Sequence, residues 1–181
     1  LTCLFDEEHF IKIKVMTETT TFDDEIRPIL AEVKDPEIPV LTVEDLGIIR
    51  KVESLADGAG VKVTITPTYS GCPAMNMIEM QVRAALEAEG YAPVEVKTSI
   101  SPAWTTEWMS EEGKKKLKAY GIAPPTTKKR QAALLGEEPD VECPHCGSHN
   151  TEVSSQYGST PCKALYRCLD CLEPFDYFKC H

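Results

Sequence analysis

Val61-Lys62-Val63-Thr64-Ile65-Thr66, the loop Pro67-Thr68-Tyr69-Ser70-Gly71-Cys72, and the stretch Pro73 to Glu89 read in one pass as strand, loop and helix. Val61, Val63 and Ile65 alternate with Lys62, Thr64 and Thr66, so one strand face is apolar and the other polar. Past the loop the period changes. Met75, Ile78, Val82, Ala85 and Leu86 form an apolar stripe at helical spacing, and Gly90 ends it. Upstream, Ile48 to Leu55 reads as a second strand, joined by the turn Ala56-Asp57-Gly58-Ala59-Gly60. Before it, Ile26, Ile29, Leu30 and Val33 predict a helix over Asp23 to Lys34, with Pro28 in its first turn or so. The helix stops before Asp35-Pro36, because a residue preceding proline avoids the helical region. Downstream come a strand from Val94 to Ile100 and a helix from Ser110 to Tyr120, with Ser110 as N-cap and Gly121 past its end. The order α-β-β-α-β-α predicts an α/β (α+β) layer: a small three-stranded mixed sheet with helices mainly on one face.

Apolar residues make up 42% of the 181 and charged residues 27%, the balance of a globular protein rather than a disordered one. No apolar run approaches the roughly 18 residues that span a bilayer, so no membrane partner is expected. Asp6, Glu7 and Glu8 interrupt the start where a secretory signal would carry its apolar segment. A cytoplasmic location is therefore expected, and a secreted disulfide scaffold is the disfavoured rival. The net charge of −10 repels phosphate backbones and weighs against nucleic acid. Lys114 to Lys116 and Lys128 to Arg130 read as solvated faces or linker. The sequence opens on Leu1 with its first methionine at Met16, so residues 1–15 read as an upstream extension, although Phe10 to Val15 alternate as an edge strand would.

The C-terminal part carries Cys143-Pro144-His145-Cys146 and Cys168-Leu169-Asp170-Cys171, two C-x-x-C knuckles about twenty residues apart. That spacing lets four thiolates converge on one tetrahedral ion, as in a zinc ribbon; an iron–sulfur cluster or a bare thiol redox pair is the alternative. About forty residues rarely bury enough core to fold alone, so the metal would supply folding energy. Thr151–Tyr157, Lys163–Arg167 and Pro174–Lys179 are the expected ribbon strands, and Gly147 fits the turn after the first knuckle. With four protein ligands the site is closed, which argues for a structural role. Cys162, Cys180 and His181 lack knuckle spacing and read as ordinary side chains, with a weak second site at Cys180-His181 as the alternative. Between the modules the sequence turns to Pro-Pro-Thr-Thr, a basic triplet and Gly-Glu-Glu-Pro-Asp. The expected organisation is an N-terminal extension over 1–21, the α/β domain over 22–122, a linker over 123–140 and the ribbon over 141–181.

Cys72 stands apart from the knuckles. With Pro73 as first helical residue, Cys72 becomes the N-cap, its sulfur facing unpaired N–H groups and the positive end of the helix dipole. Such a position lowers a thiol pKa and favours the thiolate; a small buried hydrophobe is the alternative. Asp35, Glu37 and Asp45 lie in loops expected to approach it, beside Thr68 and Ser70 of its own loop. Trp104 and Trp108 flank Thr105-Thr106-Glu107 and read as packing over the sheet edge.

Three segments together carry a resemblance: Asp35-Pro36-Glu37-Ile38-Pro39 with Glu44-Asp45-Leu46-Gly47-Ile48-Ile49; Thr66-Pro67-Thr68-Tyr69-Ser70-Gly71-Cys72-Pro73; and Pro102-Ala103-Trp104-Thr105-Thr106-Glu107-Trp108-Met109-Ser110. From about Phe22 to Ile122 the sequence resembles the metal–sulfur cluster assembly family that includes SufT. The appended ribbon, with Tyr157-Gly158-Ser159-Thr160-Pro161-Cys162-Lys163-Ala164-Leu165-Tyr166-Arg167-Cys168, makes the whole layout similar to the PaaD (PaaJ) family of bacterial phenylacetate degradation. The resemblance implies an accessory factor that matures the iron–sulfur or di-iron centres of the multicomponent phenylacetyl-CoA epoxidase (monooxygenase). It further implies Cys72 as a thiolate for transient iron or a cluster, and structural zinc on Cys143, Cys146, Cys168 and Cys171. The implied partners are the oxygenase or reductase subunits and the iron–sulfur assembly machinery, with a homodimer as one expected state. A structural subunit of the monooxygenase and a nucleic-acid-binding ribbon are the other readings. The paired helical Glu-x-x-His motifs of a di-iron site and the Gly-x-Gly-x-x-Gly nucleotide loop are absent, which argues against a catalytic subunit.

Overall fold

A computed structural model describes residues 21–55, 60–126 and 139–179. The expected edge strand at 10–15, Cys3, the turn at 56–59, the basic triplet at 128–130 and the pair Cys180-His181 lie outside the described residues.

The first helix, α1 (Phe22–Leu30), opens on a capping box: the Thr21 side chain accepts from the Asp24 N–H, and the Asp24 carboxylate accepts from the Thr21 N–H. It is shorter than its apolar pattern suggests. Ile26 and Leu30 are buried, but the helix ends at Leu30 and Val33 is buried from a turn instead. Pro28 sits seventh in the helix, not in its first turn, and a proline there removes one internal hydrogen bond just before the helix stops.

Strands β1 (Ile49–Ser54), β2 (Val61–Ile65) and β3 (Val94–Thr98) form one sheet in the order β1-β2-β3. The β1–β2 pair is antiparallel and β2–β3 is parallel, the mixed sheet expected from the element order. The parallel pair requires a crossover, and α2 (Ala74–Ala88) supplies it. Ala74, Ile78, Val82 and Leu86 of α2 pack with Val61, Val63 and Ile65 of β2, Ile26 and Leu30 of α1, and Val94 of β3. Each such fully buried aliphatic chain contributes about 1.5–3 kcal/mol. A short 3-10 turn (Thr106–Trp108) and α3 (Glu111–Ala119) follow, the helix capped by the Ser110 hydroxyl accepting from the Gly113 N–H. Gly47 adopts a φ of +65°, and a Cβ there would lie 2.0 Å from the Trp108 carbonyl oxygen, so this turn tolerates no side chain.

The second sheet has the order β4-β7-β6-β5, from β4 (Ile122–Ala123), β5 (Thr151–Ser155), β6 (Lys163–Cys168) and β7 (Pro174–Phe178). Strands β5, β6 and β7 match the expected ribbon. Strand β4 does not: its Ala123 falls in the expected linker, yet it pairs in parallel with Tyr177 and is buried. The two modules are thus stitched by one strand pair. Phe178 and Cys162 of the ribbon complete the first module's core, and Trp104 meets Phe178 edge-on at 6.1 Å. Among the described residues no helix is long and apolar enough to cross a membrane.

Candidate functional site

Four sulfurs gather at the two knuckles. Cys143 and Cys171 Sγ lie 3.8 Å apart, Cys146 and Cys168 Sγ 3.6 Å, and all four donor atoms fall within 4.8 Å of one another. A tetrahedron with metal–sulfur bonds of about 2.3 Å has sulfur edges of about 3.8 Å, so the spacing fits one four-coordinate ion and is far too long for disulfides. Gly147 takes a φ of +76°, and its N–H returns to the Cys143 carbonyl to close the first knuckle. The N–H of Cys171 points at the Cys168 sulfur and, with that of Asp170, pulls the Cys168 thiol down to about 6. Buried Cys143 and Cys168 share the ribbon core with Tyr166, Phe175 and Tyr177. His145 packs against the Phe175 ring and supplies no ligand atom to this group.

The second centre lies where the loop before α2 meets the loop after α1. Cys72 is half-buried, one residue before the N-cap, which is Pro73. The sulfur still accepts from the Ala74 N–H and from the Tyr69 hydroxyl. Burial outweighs both and raises the thiol above its ordinary value, and the charges of Glu37 and Asp35 push the same way. The expected lowering of the Cys72 thiol is therefore corrected: its shift is upward. The helix terminus is real, but desolvation and two acidic neighbours oppose it. Asp35 is buried, which raises its carboxyl, and it accepts from the N–H groups of Glu37 at 2.8 Å and Ile38 at 2.7 Å. That carboxylate fixes the turn of the loop that carries Glu37.

Asp45, expected beside Cys72, is committed elsewhere. Its carboxylate takes the Lys116 ammonium at 2.7 Å, the Ser110 hydroxyl at 3.1 Å and the Thr42 N–H at 3.0 Å, fastening α3 to the loop before β1. Thr68 and Ser70 line, with Thr66, Tyr69, Ile100 and Trp104, a cavity of about 180 Å³. Trp104 donates its indole N–H to the Leu46 carbonyl at 2.8 Å, and Trp108 lies under the Arg50 guanidinium at 3.5 Å, so both have structural roles. One residue that the sequence reading left aside meets Glu37. Cys162, 5% exposed at the start of β6, directs its S–H at Glu37 Oε2, 3.8 Å away. No local motif marks it; only the docking of the ribbon brings it there.

Family models match two parts of the chain: an iron–sulfur cluster assembly protein over residues 23–98 and a PaaD zinc beta ribbon domain over 127–179. A protein of Escherichia coli (strain K12), provisionally named as one of the subunits of 1,2-phenylacetyl-CoA epoxidase, is 48% identical over 156 residues, 86% of this chain and 92% of its own length. The chain belongs to the PaaD family. The assembly-protein match takes in Asp35, Glu37, Asp45 and Cys72, and the PaaD ribbon match takes in the four knuckle cysteines and Cys162. A Porphyromonas gingivalis protein named Fe-S protein maturation auxiliary factor is 42% identical over 91 residues, half of this PaaD-family chain and 85% of that protein. A crystal structure of a domain of unknown function, DUF59, from Bacillus anthracis superposes with a TM-score of 0.49 at 28% identity, covering 53% of this chain and 91% of that one.

Proposed function

We propose that this protein matures the metal centres of a phenylacetyl-CoA epoxidase, with Cys72 as a transient thiolate ligand for iron or a cluster and the ribbon as a docking surface for the oxygenase or reductase. Zinc is the ion we assign to the four knuckle thiolates, because a closed tetrahedral sulfur set suits a structural, redox-silent metal. A cytoplasmic setting would keep all these thiols reduced. The observation that carries the reading is the Cys72 sulfur: half-exposed at the head of α2, flanked by Glu37 and Asp35, within the segment that matches iron–sulfur assembly proteins. Its raised pKa makes it a guarded ligand. A thiol of this kind loses its proton when a metal displaces it, so uptake releases acid and weakens as pH falls. Cys72→Ala should leave the fold and ribbon metal content unchanged while the co-expressed epoxidase emerges short of iron. Full iron loading of the epoxidase in that variant would refute the reading.

The name of the Escherichia coli relative favours a second reading, a non-catalytic structural subunit. Withdrawing the protein from an already matured complex separates the two: activity persists after loss of a maturation factor and disappears after loss of a subunit.

A further inference from the structure

Asp170 lies between Cys168 and Cys171 in the second knuckle, and its exposed carboxylate looks at first like that of a solvated turn residue. Both of its oxygens are engaged. Oδ1 accepts from Asn150 Nδ2 at 2.8 Å, and Oδ2 accepts from the Ser148 hydroxyl at 2.5 Å. Both donors follow the first knuckle, just past Cys146 and Gly147. The Ser148 hydroxyl is itself oriented, because it accepts from the Asn150 N–H at 3.0 Å. The backbone ties the same segments: the Leu169 N–H donates to the Asn150 carbonyl, and the Cys143 N–H to the Ser148 carbonyl, each at 2.8 Å. The β5–β6 ladder ends at the pair Thr151 and Cys168, so these bonds carry the pairing beyond the strands and onto the knuckles. A carboxylate that served only its own turn would accept from N–H groups within it. This one takes its donors from the facing knuckle.

We propose that Asp170, with Ser148 and Asn150, clamps the two knuckles together and keeps their ion resident, which makes Asp170 a positioning residue for the four thiolates. The proposal rests on the zinc assignment above and goes beyond the maturation reading. Each knuckle holds its own two sulfurs through a short loop. The contacts that close the tetrahedron also run between knuckles, Cys143 to Cys171 and Cys146 to Cys168. An ion leaves such a site as one pair of sulfurs draws away from the other. The clamp opposes that movement with hydrogen bonds to a charged acceptor, which are stronger than neutral ones. Partners outside the ligand set that fix ligand orientation are worth about 10- to 100-fold in metal affinity. Asp170 is not among the donors that gather at the knuckles. The clamp therefore governs how long the ion stays, not which atoms hold it, and an ion locked in this way is structural rather than cargo.

The test uses the full chain, zinc-loaded and kept anaerobic, and reads zinc release to an excess of a chromogenic chelator. Asp170→Ala should release zinc about 10- to 100-fold faster than wild type. Asp170→Asn keeps an acceptor oxygen and should fall between the two. Asn150→Ala should also speed release, yet add nothing in the Asp170→Ala background, because its partner is already gone. Saturated with Co²⁺, each variant should keep the visible absorption of a tetrahedral thiolate site, since the ligands are untouched. Wild-type release in Asp170→Ala, simple additivity with Asn150→Ala, or loss of the cobalt bands in Asp170→Ala overturns the proposal. Should Asp170→Ala fail to fold, Asn150→Ala decides the matter, because wild-type release in that variant also overturns the clamp. A wild-type chain that takes up no zinc defeats the zinc assignment and the clamp with it; the maturation reading falls separately, if Cys72→Ala still yields a fully iron-loaded epoxidase.

Discussion

Asp45 and Cys72 illustrate how far a residue's chemistry depends on its partners. Asp45 is acidic, buried and in a loop, as a ligand would be, yet Lys116, Ser110 and Thr42 use both carboxylate oxygens. Burial alone would raise its carboxyl, but these bonds, Lys116 first, outweigh it and hold the group below the ordinary range. Asp45→Asn should therefore cost about 2 kcal/mol of unfolding free energy, measured by denaturant titration at pH 7. Because the folded pKa is depressed, this contribution is present above the unfolded value near 3.8 and is lost as pH falls through the folded one. Wild type and variant should converge in stability once the pH lies below the folded value; a gap that persists there would show that shape, not charge, is responsible. Cys72 makes the opposite point. The proline after it did mark a helix start, but the sign of its pKa shift was decided by burial and by carboxylates on a distant loop. No window of sequence around Cys72 contains that information.

At the scale of elements, periodicity was legible wherever a segment has one buried face. The stripe of α2, the alternation of β2 and the three ribbon strands all lie within a residue or two of their patterns. Element α1 misled because Val33 continues its apolar spacing while the backbone has already left the helix at Ala31. Strand β4 was missed because two residues carry no period, and its pairing partner lies more than fifty positions downstream. Strand β7 is where these short signals become stability. Phe178 is 2% exposed and packs on Trp104 across the module boundary. Phe178→Ala should lower unfolding free energy by about 3–5 kcal/mol. It should also free the ribbon from the first sheet, read as faster amide exchange at Ile122 and Ala123. Unchanged exchange there would show that the β4–β7 pairing holds without the aromatic contact.

Over the whole molecule, the ribbon's core is a small cluster around Tyr166, Phe175 and Tyr177, and an ion held by the four sulfurs would add the folding energy that so small a core lacks. Stripping the metal with a chelator should unfold β5 to β7 while α1 and α2, which pack on their own sheet, keep the helical circular dichroism. Loss of the helical signal in the same step would mean that the modules fold as one unit. The sequence by itself marked most of the elements and the spacing of the four knuckle cysteines, because periodicity and motif spacing are local properties written within short windows. Only the tertiary structure decided that Asp45 serves α3, that burial shifts the Cys72 thiol upward and that Cys162 stands beside Glu37. Those outcomes depend on desolvation and on Coulomb forces between groups distant in the chain, and neither exists until packing brings the groups together.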